Sequence, residues 1–410
     1  MQVARERTCL MSLPNETFQE IIELLRVDSE EKFGREKMDQ LVKRLSSVSR
    51  GFRRAVLGTP TFWTTIDNNY CLRDGFEERI ERSRNRPLAV RIHLTVQNVN
   101  DVMSPIFPLK NRWRELSANL CGDVIPSLLN CTSSKEIFSR VEVVRLAFGT
   151  DKDIENFWLV WRFPKATTVE LDTTRLPAIE RLPEMTTFNL RTFYYCYQYR
   201  GCYIAELALL LSAAPHLDSF TLQLAFCREL EPDLGTVELP SITSFSLSNF
   251  EKRVKDQCHL VSGTEPLCQI LLSLRMPNLK DFRLTLYIEH RIQLKEWLES
   301  AVDVVEELRS VTSLSIISEL VFGSGTLIEL LSPFSNIHEL KFDVPELRET
   351  LRGLESSLNL ARLCSVSLTG QSIERDWDWP ADMWKFSKNM IDPIVSLPHS
   401  ITSSTNLLLS

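Results

Sequence analysis

One short pattern restricts this chain more than any other feature: apolar-x-x-apolar-x-apolar, repeated down much of its length. It spans residues 141–146, 166–171, 185–190, 217–222, 242–247, 279–284, 311–316, 337–342 and 363–368, with Val141, Val144 and Leu146 setting the type. Measured between last residues (146, 171, 190, 222, 247, 284, 316, 342, 368), the units step by 25, 19, 32, 25, 37, 32, 26 and 26 residues. Alternating apolar positions suit a half-buried strand, and several units follow a helical run, at 204–214, 267–274 and 327–331. A proline then opens a short turn, as in Ala214-Pro215-His216-Leu217 and Met276-Pro277-Asn278-Leu279. One helix and one strand per unit cannot bury an apolar face alone, so the units must stack. The expected result is an irregular α/β solenoid over 88–375 with a parallel sheet on its concave side, and a cap and tail over 376–410.

Composition agrees with a chain built for packing. Its 410 residues hold 60 leucines against 13 glycines, which disfavours glycine-lined phosphate loops. Forty-seven Lys and Arg against 54 Asp and Glu leave a formal charge of −7, so neither nucleic acid nor an anionic membrane is an expected partner. The ten cysteines stand singly, with no C-x-x-C pair, and read as free thiols of a reducing compartment. No apolar h-region lies in the first eleven residues, and the most apolar run, 204–214, is too short to cross a bilayer. The expected location is therefore cytoplasmic, nuclear or both.

The N-terminal segment reads differently. Pro14 suits a first helical turn, and Phe18, Ile21, Ile22 and Leu25 recur at i, i+3, i+4 and i+7. A charged stretch, 26–37, follows. A second helical pattern steps through Leu41, Leu45, Val48, Phe52 and Val56, and Gly58 and Pro60 stop it. Residues 67–87 then form a linker with a charged helical turn from Phe76 to Arg84, before Val90, Ile92 and Leu94 alternate as in a strand.

Residues 11–66 resemble an F-box, in the F-box-like form found in many fungal proteins. The first half is Leu13-Pro14-x-Glu16 followed by Ile21, Ile22 and Leu25; the second is Leu45 to Arg54, with Val48-Ser49-Arg50 at its centre, and then Pro60-Thr61-Phe62-Trp63. Phe52 stands where tryptophan is common, and the stretch between the halves is longer than usual. With the repeats, the chain resembles an F-box protein carrying a leucine-rich-repeat-like domain. That resemblance implies docking to a Skp-type adaptor and through it to a cullin, with Leu13, Pro14, Ile21, Ile22, Leu25, Val48 and Phe52 shared between the core and the adaptor face and Trp63 closing the module. It implies a protein substrate on the solenoid, and it transfers no substrate-binding residue. The alternative is an amphipathic hairpin packing only on its own chain, in a binding scaffold that recruits no ligase.

No chemistry is written in the remaining motifs. The six histidines lie far apart, outside any H-E-x-x-H arrangement, and Gly323-Ser324-Gly325-Thr326 lacks the lysine of a phosphate-binding loop. The sequence thus predicts a non-enzyme with no metal or cofactor. The cations Lys43, Arg44, Arg50, Arg53 and Arg54 read as a solvated helix face. Trp377, Trp379 and Trp384 read as part of a terminal cap, or else as a partner-binding edge. Tyr194, Tyr195, Tyr197 and Tyr199 read as an inter-repeat packing loop.

Overall fold

The computed structural model describes residues 17, 20–21, 24, 38–71, 75–122, 124–131, 136–148, 157, 161–173, 191–197, 207, 210–212, 214–224, 236–249, 273–286, 308–318, 331, 334–343 and 365–369. The chain is a mixed α/β protein in two compact units, Met1–Val144 and Arg145–Ser410.

In the first unit, helices α1 (Met38–Val48) and α2 (Arg50–Gly58) are followed by a 3-10 turn, Pro60–Trp63. The sequence pattern runs through this region as a single helical period, but the chain breaks at Ser49. There the backbone is extended, and the hydroxyl accepts the Phe52 amide at 3.2 Å as the N-cap of α2. A serine that can satisfy an otherwise orphaned amide competes with helix continuation. Then come β1 (Thr65–Asp67), α3 (Asn68–Cys71), α4 (Phe76–Ser83), β2 (Leu88–Thr95), α5 (Val99–Ile106), β3 (Trp113–Cys121), α6 (Val124–Cys131), β4 (Glu136–Ile137) and β5 (Val143–Phe148), which ends across the division. Strands β1, β2 and β3 pair in parallel in chain order. The alternation in β2 behaves as the sequence suggests, with Leu88, Val90, Ile92 and Leu94 buried and His93 exposed.

The second unit contains β6 (Trp161–Arg162), β7 (Thr168–Thr173), β8 (Thr192–Tyr197), β9 (Ser219–Leu224), β10 (Val237–Glu238), β11 (Ser244–Asn249), β12 (Leu274–Arg275), β13 (Asp281–Leu286), β14 (Ser313–Ser318), β15 (Glu339–Asp343) and β16 (Ser365–Thr369). Eight of these lie side by side in chain order, β7-β8-β9-β11-β13-β14-β15-β16. Their register aligns the repeats residue for residue: Phe220, Phe245, Phe282, Leu314 and Leu340 are successive partners, as are Leu222, Leu247, Leu284, Ile316 and Phe342. Rings on this row stack, Phe220 on Phe245 at 5.4 Å and Phe245 on Phe282 at 5.8 Å.

A further apolar anchor sits three residues before six of the patterns in this unit. Phe163, Ala214, Leu239, Met276, Leu308 and Phe334 are all buried. The carbonyls of the first five accept the amide three residues on, from Ala166 (3.0 Å), Leu217 (3.1 Å), Ile242 (3.3 Å), Leu279 (3.0 Å) and Val311 (3.2 Å). Pro164, Pro215, Pro240 and Pro277 occupy the second position of four of these turns, where a fixed φ is suited to the bend. A repeated backbone step then joins neighbours. The carbonyls of Thr167, Arg191, Asp218, Thr243 and Lys280 each accept two amides, from Arg191 and Thr192, Asp218 and Ser219, Thr243 and Ser244, Lys280 and Asp281, and Thr312 and Ser313.

The structure corrects two readings in this unit. Tyr194, Tyr195 and Tyr197 lie on strand β8, paired between β7 and β9, and do not form a loop. Aromatic residues fit a pleated, partly covered surface well. The repeat step belongs to Phe193 and Tyr195, which pair with Val169 and Leu171, so Leu190-x-x-Phe193-x-Tyr195 carries the spacing. Residues 185–190, 204–206, 208–209, 213, 267–272 and 327–330, and Tyr199, Trp377, Trp379 and Trp384 lie outside the described residues.

Candidate functional site

The helix pair and the turn after it bring both sides of the second motif half into one cluster. Val56, Phe62 and Trp63 are buried, and Val42, Leu45, Phe52, Ala55 and Leu57 pack against them. Spacing explains the choice of faces: Val42 and Leu45 share one stripe of α1, while Phe52, Ala55 and Val56 share one stripe of α2.

Trp63 is 8% exposed and serves as a plug. Its Nε1 donates to the Val56 carbonyl at 3.3 Å, tying the turn to α2. Two guanidiniums from α4 lie over its ring, Arg82 at 4.7 Å and Arg79 at 5.5 Å from the centroid. Arg79 is itself buried, with Nε donating to the Thr65 carbonyl at 2.8 Å and Nη2 to the Phe62 carbonyl at 3.4 Å. A buried guanidinium is tolerable because its fork spans two carbonyls and its face meets a π system. By its sequence this helix belongs to the linker at 67–87, with a charged helical turn from Phe76 to Arg84. The signal available was Arg79 at i+3 and Ser83 at i+7 from Phe76, a polar pattern that gives no hint of burial.

Other candidate residues separate by exposure. Val48, the last residue of α1, is 63% exposed, and Phe52 is half-buried with its ring against the cluster. Thr17, Glu20, Ile21 and Leu24 are helical; Ile21 is half-buried and Leu24 is 70% exposed. Leu13, Pro14, Ile22 and Leu25 lie outside the described residues. Among the described residues, Leu24 and Val48 are the large apolar side chains of this helical module that stand bare. The five cations of α1 and α2 are all exposed.

The hydrophilic positions of the second unit also align. Thr221, Ser246, Arg283, Ser315 and Lys341 are successive partners, as are Ser219, Ser244, Asp281, Ser313 and Glu339. Arg283, Asp281, Glu339 and Lys341 are exposed, while the serines and Thr221 are half-buried. Hydroxyls at this density suit hydrogen bonding to a partner but fix no reaction.

No protein-family model matches the chain, and no curated protein matches it. The chain is similar to the crystal structure of a Bacteroides fragilis protein, a structural-genomics target, with 10% identity over 76% of this chain and 75% of that one and a TM-score of 0.31. At that score the likeness carries neither a family nor a function.

Among the described residues, no three His, Cys, Asp or Glu side chains group as a metal site, and no helix is long and apolar enough to cross a membrane. Burial, helped by the Asp67 charge, pushes the Cys71 thiol up to about 12, and burial also raises Cys131. Both thiols are held in their unreactive protonated form at neutral pH.

Proposed function

We propose that this chain is a substrate-recognition subunit of a Skp-cullin-F-box type ubiquitin ligase. The N-terminal helices bind the Skp-type adaptor, and the repeats, stacked as a leucine-rich-repeat-like solenoid, hold a protein substrate. What most supports the reading is that the residues resembling the second half of an F-box pack as one small unit, Leu45, Phe52, Phe62 and Trp63 together, while Val48 stays bare at its surface. The chain contributes no catalytic residue in this reading. Holding substrate and charged ubiquitin carrier in one assembly raises their effective concentration, which is sufficient for transfer by the associated subunits.

Co-purification of the full chain with the Skp-type adaptor of its own organism tests this. A stoichiometric complex is expected, and it should be lost in a folded Leu13→Ala/Ile22→Asp variant. A soluble, folded wild-type chain that forms no complex overturns the ligase role and leaves a protein-binding scaffold. The reading places the chain in the cytoplasm or nucleus, where such ligases act.

A further inference from the structure

Helices α1 and α2 carry five cations, Lys43, Arg44, Arg50, Arg53 and Arg54, against a single acid, Asp39. Five minus one leaves +4 on 38–58, within a chain whose total is −7. The charges are placed by helical period. Lys43, Arg44, Ser47 and Val48 share the outer stripe of α1, opposite Val42 and Leu45, and Arg50, Arg53 and Arg54 share the outer stripe of α2, opposite Phe52, Ala55 and Val56. Arg53 draws the two stripes together by donating from Nε to the Ser46 carbonyl at 3.1 Å, on the last turn of α1. Among the described residues, Lys43, Arg44, Arg50 and Arg54 make no side-chain hydrogen bond or ion pair. Val48 ends the α1 stripe beside the start of α2 and is 63% exposed.

Unpaired like charges on a marginally sized module repel one another, and a bare valine gains nothing from water. Both are relieved by the same kind of surface. We infer that the α1–α2 joint is a docking surface for an acidic protein segment that presents carboxylates to these cations and an apolar side chain to Val48. The inference rests on the adaptor-binding reading for the identity of that partner and adds the chemistry by which it is chosen. A protein is favoured over nucleic acid for two reasons: the bare apolar residue shares a helix stripe with Lys43 and Arg44, and the nearby aromatic ring, Phe52, packs against the core and is unavailable for base stacking. Cations at the rim of such a joint govern encounter rate and partner choice, while the apolar centre governs residence.

Binding of the full chain to its organism's Skp-type adaptor, measured from about 0.05 to about 0.5 M salt, tests this. It is compared with Lys43→Glu/Arg50→Glu/Arg54→Glu and with Val48→Ser. All four residues are exposed, and circular dichroism confirms that each variant is folded. The charge-reversed chain is expected to bind roughly ten-fold or more weakly at low salt and with a flatter salt dependence. Val48→Ser weakens binding while keeping the wild-type salt slope. Equal affinity and equal slope for wild type and the charge-reversed chain overturn the inference and leave the ligase reading standing. If the wild type binds no adaptor, the ligase reading falls, and a polyglutamate peptide in the same salt series decides. Binding that is lost in the charge-reversed chain sustains an acidic-partner surface, and no binding overturns it. Tighter binding to duplex DNA than to the adaptor or the peptide overturns the assignment to a protein.

Discussion

Removing the Arg79 side chain would strand the Thr65 and Phe62 carbonyls and strip one of two cations from the Trp63 ring. Hydrogen bonds from a charged donor are among the stronger ones, and a buried acceptor left bare adds its own cost. Arg79→Ala should therefore destabilise the first unit by about 2–4 kcal/mol, read from the urea midpoint. Arg79→Lys should recover little, because a point ammonium cannot span two carbonyls and also lie flat on an indole. None of this was legible from an isolated Arg in a charged run. Burial of a guanidinium is decided by what folds over it, and the covering turn is fourteen or more residues upstream. Cys71 offers a second residue-level test, with a clear sign. Its thiol ordinarily titrates at 9.0 and in the fold at about 12, so between these values the unfolded chain has lost a proton that the folded chain retains. The contribution of Cys71 is fully present below pH 9 and is lost as pH rises towards 12. Urea titrations across that window should show wild type losing stability more steeply than Cys71→Ala; equal slopes would refute the shift.

At the scale of elements, the break at Ser49 decides what the helical module can offer. A continuous helix would carry Val48 and Phe52 on one stripe, as their spacing of four suggests. The N-cap instead ends α1, leaving Val48 bare and sending Phe52 to the core. Ser49→Ala should cost about 1 kcal/mol in thermal or urea unfolding, with Ser49→Asp close to wild type because a carboxylate caps equally well. Periodicity reaches only as far as the apolar faces do. It located α1, α2, β2 and the long strands β5, β7, β9, β11, β13, β14, β15 and β16, since burying one face is what makes the pattern, but it did not place α3, α5, α6, β1, β3 or the two-residue strands. It missed the break because capping is a contest between one side-chain hydrogen bond and the next helical turn, which leaves the apolar spacing unchanged. Strand β8 was displaced for a related reason: Met185, Phe188 and Leu190 mimic the pattern, and only the pairing of Phe193 with Val169 and Phe220 chooses the register. The anchors at Ala214, Leu239 and Met276 were visible in outline through the prolines that follow them. Their share in the core was not visible, because a single apolar residue before a proline sets no periodic pattern of its own.

Across the second unit, each strand of the stack meets only the strands before and after it, so stability accumulates by neighbour contacts more than through one shared centre. The phenylalanine row makes this measurable. Phe245 is fully buried and stacks on both Phe220 and Phe282, so truncating it removes two ring contacts and opens a void on each side. A Phe→Ala change of this kind costs about 3–5 kcal/mol where the surroundings cannot collapse. In a linear stack that loss is felt first by the strands that adjoin the void. Native-state hydrogen exchange of Phe245→Ala should therefore show amide protection falling most in β9, β11 and β13, less in β14, and least in β7 and β15. Phe245→Leu, which keeps most of the volume, should reduce the same gradient without changing its order. Equal loss of protection in every strand would mean that the unit opens all at once, and that its repeats do not behave as separable neighbours. The graded outcome has a functional consequence. A surface built from such strands can vary its half-buried hydroxyls and exposed charges, Ser246, Arg283 and Lys341 among them, with each change confined to its own stretch of the stack.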